Sequence, residues 1–170
     1  MRKILLPLLC AAGLWAADGP RRAPGFALPD AKMLVHDLGD YRGRPVVLEF
    51  MLTTCPHCIA FVPVLEKVQE HYGDRVAIVT IVNPPDNMTT VNQFVAKHGI
   101  TYPVLFDMGQ AAYSYVLRQS FSQPQLYLID ASGMIQRHYE YGPFTRDIFE
   151  GNGLYAELDR MLGGSAPAKK

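Results

Sequence analysis

The segment VVLEFMLTTCPHCIAFVPVLEKVQEHYG, residues 46–73, contains an apolar run followed by a helical pattern. Residues 46–51 are apolar except for Glu49, which predicts a central strand covered on both faces. From residue 56 to 72 apolar side chains recur at helical spacing until a glycine ends the pattern, which predicts a helix. Residues 75–82, RVAIVTIV, predict a second buried strand. A strand, a helix and a strand with short joins predict a parallel crossover unit.

The middle of the chain predicts two more helices and a short strand. Thr90 and Gln93 have the spacing of a capping box, which predicts that a helix begins at Thr90 and ends at Gly99. Residues 102–107 predict a short strand, and residues 110–119 predict another helix.

The last part of the chain predicts a hairpin and a helix. Residues 125–130 and 134–140, joined by the turn Ala131-Ser132-Gly133, predict two antiparallel strands. The helical pattern of residues 145–162 is weakened at its Gly-Asn-Gly sequence, which predicts two helical pieces. The order of elements predicts an α/β domain over residues 24–162, with a central mixed sheet flanked by helices.

The composition is that of one packed globular domain. Of the 170 residues, 49% are hydrophobic and 19% are charged, which excludes disordered, collagen-like and coiled-coil classes. The 16 basic and 16 acidic side chains cancel, which leaves no charge excess for DNA, RNA or an anionic membrane surface. We therefore expect no nucleic-acid partner, and we expect a monomer.

Residues 1–17 have the layout of a secretory signal peptide, with two basic residues, an apolar run and small residues at the end. The apolar run, residues 4–14, has about half of the roughly 20 residues that a membrane-spanning helix needs. We therefore expect an exported, periplasmic protein, which stays anchored in the membrane if this leader is not cleaved. Residues 18–23 then form a linker, and residues 163–170 form a flexible tail.

The tetrapeptide Cys55-Pro56-His57-Cys58 is the part of the sequence most informative about chemistry. It lies where the first strand gives way to its helix, and the free amides and positive dipole of a helix start favour a thiolate at Cys55. Cys55 is therefore the candidate nucleophile. Cys58, one turn deeper, is better placed to attack a mixed disulfide at Cys55 and is the candidate resolving thiol.

Metal binding is the alternative use of a Cys-x-x-Cys pair, because zinc sites have the same spacing. A structural zinc needs two more ligands, yet the sequence has no second cysteine pair and its other histidines are scattered singly. We therefore expect redox chemistry, no metal and no cofactor. A copper-binding or partner-binding module without catalysis remains an alternative, because Met51 beside two thiols could hold Cu(I), a soft ion.

The chain resembles thioredoxin-fold thiol–disulfide oxidoreductases. The resemblance rests on the CPHC motif after its strand, Pro63, Glu49 and the pair Gln123-Pro124 before the hairpin. The stretches APGFALPD and DLGDYRGRPVVLEF resemble the TlpA/ResA branch of exported redoxins, whereas CPHC and the VLEF before it resemble DsbA-type disulfide oxidases. The resemblance implies a thioredoxin-like fold with an N-terminal extension and a βα insert of about 25 residues before Pro124.

The resemblance implies a substrate-binding role for Gln123 and Pro124. A proline at this position of the fold follows a cis peptide bond and lies against the two cysteines. The backbone before it is then free to pair with an extended substrate strand. The alternative is an ordinary loop proline after a trans peptide bond.

The resemblance implies catalytic roles for the residues around the cysteines, including Pro56 and His57 between them. Glu49 points inward from a central strand, where burial raises its pKa, and it passes protons to or from Cys58. His57 stabilises the Cys55 thiolate, as the matching residue does in DsbA-type proteins. The alternatives are that Glu49 faces a water pocket or a basic partner, and that His57 is an exposed spacer.

The sequence leaves the direction of electron flow open. A stabilised Cys55 thiolate favours an oxidant, but lowering its pKa by about three units changes the potential by only about 45 mV. The TlpA/ResA resemblance favours a reductant for the cysteines of cytochrome c or of copper sites. In either direction, the expected partners are cysteine-containing exported proteins and a membrane or periplasmic redox protein that recycles the pair.

Two departures from related families limit what the resemblance implies. Leu52 and Leu48 occupy the positions of the threonine and proline that peroxiredoxins need, which disfavours a peroxidase. Thr54 and Met51 occupy positions where many relatives carry aromatic residues, so the choice of substrate does not follow from the resemblance.

Overall fold

A six-stranded mixed sheet and a separate two-stranded sheet form the framework of the computed structural model, which describes residues 20–116 and 122–163. The strands are β1 (Arg21–Arg22), β2 (Ala27–Pro29), β3 (Val35–Asp37), β4 (Val46–Met51), β5 (Ala77–Val82), β6 (Val104–Phe106), β7 (Gln125–Ile129) and β8 (Met134–Glu140). The helices are α1 (Pro56–Tyr72), α2 (Met88–His98), α3 (Gln110–Tyr115), α4 (Arg146–Phe149) and α5 (Asn152–Met161). The predicted leader, residues 1–17, lies outside the described residues.

The larger sheet has the strand order β1-β8-β7-β4-β5-β6. β4 lies between β5, to which it is parallel, and β7, to which it is antiparallel. Every residue of β4 and β5 is buried, which confirms that both are central strands covered on both faces. Because the two strands are parallel, the turn that follows β4 and the loop that follows β5 lie at the same edge of the sheet.

Two apolar cores pack on opposite faces of this sheet. Val47 and Met51 of β4 belong to the first core, which is covered by α1, α2, α4 and α5. Leu48 and Phe50 of β4 belong to the second core, which is covered by α3 and by the segment before β4, including Phe26. Because both faces of β4 are dry, an ionisable side chain on this strand carries a high desolvation cost.

The N-terminal segment contains strands that the sequence does not predict. The dipeptide Arg21–Arg22, placed in the linker by the sequence, forms β1 and pairs with the start of β8. Ala23 is also buried, and its amide donates a 3.0 Å hydrogen bond to the Gly133 carbonyl. The prediction of a linker over residues 18–23 is therefore wrong at its C-terminal end. Strands of two or three residues carry no hydrophobic period, so a sequence pattern cannot reveal them.

Helix α2 begins at Met88, before the predicted start. Its N-cap is Asn87, whose Oδ1 accepts hydrogen bonds from the amides of Thr89 at 2.9 Å and Thr90 at 3.2 Å. The Asn87 amide in turn donates to the Thr90 hydroxyl at 3.0 Å. The prediction that Thr90 begins the helix is therefore wrong, because Thr90 is the inner member of a capping box whose N-cap is Asn87. The helix ends at Gly99 as predicted.

Two strands are shorter than predicted. β5 begins at Ala77, because Gly73–Arg75 form a 3-10 helix in place of the first predicted strand residue. β6 occupies only Val104–Phe106 of the predicted residues 102–107. These differences lie at the ends of the elements, where pattern reading is least accurate.

The last elements agree with the sequence except at α3. This helix ends at Tyr115 because Val116 is extended, and the rest of the predicted helix, residues 117–119, lies outside the described residues. The hairpin of β7 and β8 is confirmed, and the final helix is split at Gly151, whose φ of 106° is unfavourable for other residues. Among the described residues, no helix is long and apolar enough to cross a membrane.

Candidate active site

Cys55 is the N-cap of α1 and lies half-buried at the carboxyl edge of β4. Its Sγ accepts a hydrogen bond from the Cys58 amide at 3.3 Å, and its thiol donates to the Gln123 carbonyl at 3.6 Å. Pro56 occupies the first turn of α1, where a missing N–H leaves no hydrogen bond unmade. An amide that donates to sulfur at the positive end of a helix favours negative charge on that sulfur. The local geometry therefore suits Cys55 to nucleophilic attack.

Cys58 is fully buried in the first core, and both cysteines are free thiols. Burial raises the pKa of Cys58, and the negative charge of Glu49 raises this pKa further. A backbone hydrogen bond at Leu52 opposes these effects only in part. Cys58 therefore holds its proton firmly, and it needs a base before it can attack a disulfide at Cys55.

Glu49 is the candidate for this base. Only 1% of its surface is exposed, and burial raises its pKa to about 8. The Thr80 hydroxyl donates a 2.8 Å hydrogen bond to Oε2, which opposes the effect of burial, whereas Oε1 has no partner among the described residues. The charge of Glu49 also contributes to raising the pKa of Tyr102, although burial is the larger cause. Glu49 is thus a buried acid that can exchange a proton near neutral pH.

The Gln123–Pro124 peptide bond is cis, and Pro124 is buried beside the reactive turn. The carbonyl of Gln123 accepts the hydrogen bond from the Cys55 thiol, and the carbonyl of Pro124 accepts one from the Tyr141 amide at 3.2 Å. The segment therefore brings polar backbone atoms to within hydrogen-bond distance of the sulfur. The side-chain Oε1 of Gln123 is buried and accepts no hydrogen bond from the described residues.

His57 is exposed and lies against the end of β8. Its ring stacks on the ring of Tyr141, with centroids 3.9 Å apart and planes 19° apart. Tyr141 in turn meets the edge of Phe149 in the first core, at a centroid distance of 5.4 Å. These contacts fix the His57 ring at the rim of the site, next to the half-buried Cys55.

Asp86 is a residue of the site that sequence reasoning missed. It lies in the loop after β5 with 6% of its surface exposed. Its carboxylate accepts hydrogen bonds from the Thr53 amide at 2.7 Å, from the Thr53 hydroxyl, and from the Thr90 hydroxyl at 2.9 Å. The loop after β5 therefore holds the turn just before Cys55. The predicted parallel pairing of β4 and β5 is the signal that could have revealed this contact, because the carboxyl ends of parallel strands lie at the same edge of a sheet.

The described part of the chain contains no group of three or more His, Cys, Asp or Glu side chains that could hold a metal ion. Met51, the residue considered for Cu(I), has 1% of its surface exposed and packs in the first core.

The chain is similar to several known proteins. The model of the AhpC/TSA family matches residues 20–138. The thioredoxin-like protein YneN of Bacillus subtilis is 30% identical over 84% of this chain and 77% of its own length. The thiol-disulfide oxidoreductase ResA of Geobacillus kaustophilus is 30% identical over 68% of this chain and 65% of its own length.

The fold comparison identifies the architecture. The crystal structure of a Chlorobium tepidum protein assigned as thiol:disulfide interchange protein DsbE matches with a TM-score of 0.70 and 26% identity. The match covers 81% of this chain and 96% of that chain. The mixed sheet flanked by helices is therefore thioredoxin-like, as the resemblance predicts.

Proposed function

The chain belongs to the AhpC/TSA family, and from this membership and the site geometry we propose that it is an exported thiol–disulfide oxidoreductase of the ResA/DsbE kind. It exchanges the Cys55–Cys58 pair with cysteines of substrate proteins. The observation that carries the proposal is the pairing of a half-exposed sulfur at a helix start with a buried thiol near a buried carboxyl. Export rests on the leader pattern of residues 1–17.

The reaction in the reducing direction has two steps. The Cys55 thiolate attacks a substrate disulfide, which forms a mixed disulfide and releases one substrate thiolate. Cys58 then gives its proton to Glu49 and attacks the Cys55 sulfur, which closes the Cys55–Cys58 disulfide and releases the second substrate thiolate. Two electrons pass from the protein to the substrate, and each released thiolate takes up a proton. The oxidising direction is the reverse of these steps.

We infer that the protein works as a reductant, because its sequence is similar to ResA and its stretches before the motif resemble the TlpA/ResA branch. The candidate substrates are exported proteins whose cysteines must stay reduced, such as those of cytochrome c or copper sites. Equilibration of the pair with a glutathione series tests this inference. A potential near or below about −270 mV supports a reductant, and one near about −120 mV supports an oxidant.

The roles of the two cysteines are tested by trapping. Cys58→Ser leaves the nucleophile but removes the resolving thiol, so we expect a stable mixed disulfide with the substrate through Cys55. Cys55→Ser has no exposed attacking sulfur, so we expect no adduct. Mass spectrometry after alkylation measures both adducts. Equal amounts of adduct from the two variants would contradict the assignment.

A peroxidase is not proposed, although the matched family is named for AhpC and TSA. Leu52 cannot supply the hydroxyl of the threonine that peroxiredoxins need, and Leu48, fully buried in the second core, stands where they need a proline. A peroxide-consumption assay checks this point, and we expect no turnover above that of a Cys55→Ser control.

A further inference from the structure

Thr80 is the residue that holds the buried carboxyl of Glu49 in place. It lies on β5 with 1% of its surface exposed, directly opposite Glu49 in the parallel register of β4 and β5. Its hydroxyl donates to Oε2 at 2.8 Å, and Oε1 accepts no hydrogen bond from the described residues. The two oxygens of one carboxyl therefore have different surroundings.

We propose that Thr80 is a positioning residue that holds Glu49 by Oε2, so that Oε1 receives the proton of Cys58 when Cys58 resolves the mixed disulfide. This inference rests on the proposed function and assigns a part in it to a residue on another strand. In this step the S–H bond of Cys58 breaks and an O–H bond forms at Oε1. The new Cys55–Cys58 bond takes the electron pair of the Cys58 sulfur, and the substrate sulfur leaves with the pair of the broken mixed disulfide.

The groups around Glu49 show why the Thr80 hydroxyl affects the ionisation of this carboxyl. From α1 the titratable neighbour is Cys58, and from the segment before β6 it is Tyr102. From β7 the strand partner is the apolar Leu126. The pKa values of this thiol and this phenol are both raised, so both groups are neutral when Glu49 ionises and neither supplies a positive charge that would favour the carboxylate. The hydrogen bond from Thr80 favours that form, against the effect of burial.

Substitutions at Thr80 separate the hydroxyl from the volume of the side chain. Thr80→Val keeps the shape and removes the hydroxyl, Thr80→Ala removes both, and Thr80→Ser keeps the hydroxyl. The reduced protein is mixed rapidly with a symmetric disulfide of a fluorescent peptide between pH 5 and pH 10. Fluorescence anisotropy rises as Cys55 captures the peptide and falls as Cys58 releases it, so the two steps are measured separately.

We expect the pH midpoint of the release step to move upward by about 0.5 to 1 pH unit in Thr80→Val and Thr80→Ala. Release at pH 7 then slows by roughly three- to tenfold, because less of Glu49 is ionised. Thr80→Ser retains the wild-type midpoint, and capture by Cys55 is unchanged in all three variants. Glu49→Gln serves as the reference that loses this pH dependence altogether.

Thr101→Val is the matched control. The Thr101 hydroxyl donates to a carboxylate oxygen of Glu66 at 2.8 Å, the same kind of contact at the same distance as that between Thr80 and Glu49, but on the surface. Both steps should keep wild-type rates and midpoints in this variant. A change equal to that of Thr80→Val would show that loss of any such contact disturbs the fold, and it would overturn the proposal.

Other outcomes also decide the matter. Release midpoints of Thr80→Val and Thr80→Ala that equal the wild-type midpoint would overturn the proposal, as would a Thr80→Ser midpoint displaced like theirs. Should Thr80→Val fail to fold, Thr80→Ala against Thr80→Ser makes the same comparison. A wild-type protein that captures no peptide would instead contradict the proposed function itself.

Discussion

At the scale of single residues, the carboxyl of Glu49 links the stability of the protein to pH. Its pKa is raised from 4.5 in the unfolded chain to about 8 in the fold, chiefly by burial. Below pH 4.5 the group is protonated in both states, so it makes no pH-dependent contribution to stability. As pH rises from 4.5 to 8, the unfolded chain releases a proton that the folded chain keeps, so the free energy of unfolding falls, and above pH 8 the loss is complete.

Glu49→Gln should remove this dependence. The wild-type protein should lose up to about 5 kcal/mol of unfolding free energy between pH 4.5 and pH 8 through this group, and the variant should lose much less. Urea unfolding at several pH values measures the difference. Asp30 and Asp130 do not interfere, because their pKa values are lowered and their effects lie at more acidic pH. Parallel stability profiles for the two proteins would show that Glu49 is not buried as described.

The sequence predicts some of these residue-scale features and hides others. The burial of Glu49 is readable, because it interrupts an apolar run, and the depth of Cys58 follows from helical spacing. The contact with Thr80 is not readable, because it joins residues 31 apart through a strand register that depends on the whole sheet. The stacking of His57 on Tyr141 is hidden for the same reason.

At the scale of elements, the loop after β5 supports the turn before α1 through Asp86. We expect Asp86→Ala to cost about 1 to 3 kcal/mol of unfolding free energy, because the part-buried Thr53 amide and the hydroxyls lose their acceptor. We also expect slower capture of substrate by Cys55, two residues after Thr53, because the turn is less well fixed. Urea unfolding and the anisotropy assay measure the two effects.

Asp74→Ala is the control for this prediction. Its carboxylate is fully exposed, and its one ion pair with a described residue joins it to Arg44 at 3.8 Å. Its removal should therefore change stability by less than about 0.5 kcal/mol. If both aspartate variants behave alike, Asp86 does not support the turn.

Element boundaries show where sequence patterns mislead. Thr90 and Gln93 have the spacing of a capping box, and Asn87 and Thr90 have the same spacing. The structure forms the second of these boxes, in which the Asn87 side chain accepts hydrogen bonds from two amides. The helix therefore begins directly after Asn87 and is longer than predicted. Hydrophobic periods predict the long central strands well, because many residues contribute to each period.

At the scale of the whole molecule, the N-terminal segment and α3 together close the second face of the sheet. The Tyr115 hydroxyl donates to the Pro24 carbonyl at 2.8 Å, and Arg21 donates to the Tyr115 carbonyl at 2.7 Å. The N-terminal extension and the insert expected from the resemblance thus pack against each other. The sequence predicts that both exist, but only the packing shows that they share one face.

Phe26→Ala should reveal how much this face contributes. Phe26 is 8% exposed in the second core, so we expect a loss of about 3 to 5 kcal/mol of unfolding free energy. Peptide capture by Cys55 should persist in the folded variant, because Cys58 and α1 pack in the first core. Phe144→Ala is the matched control, since Phe144 is 98% exposed, and it should change stability by less than about 0.5 kcal/mol. Equal losses would contradict the burial of Phe26 in the second core.

The register of β1 determines where the N-terminal end enters the domain. Arg21 pairs with Ile135, whereas Glu140, at the other end of β8, pairs with Gln125 beside the cis peptide bond. The five residue steps from Ile135 to Glu140 span about 17 Å. A protein that kept its leader would thus be attached to the membrane at the end of the sheet opposite its reactive sulfur. A bulky redox partner could then approach that sulfur without the bilayer in its way.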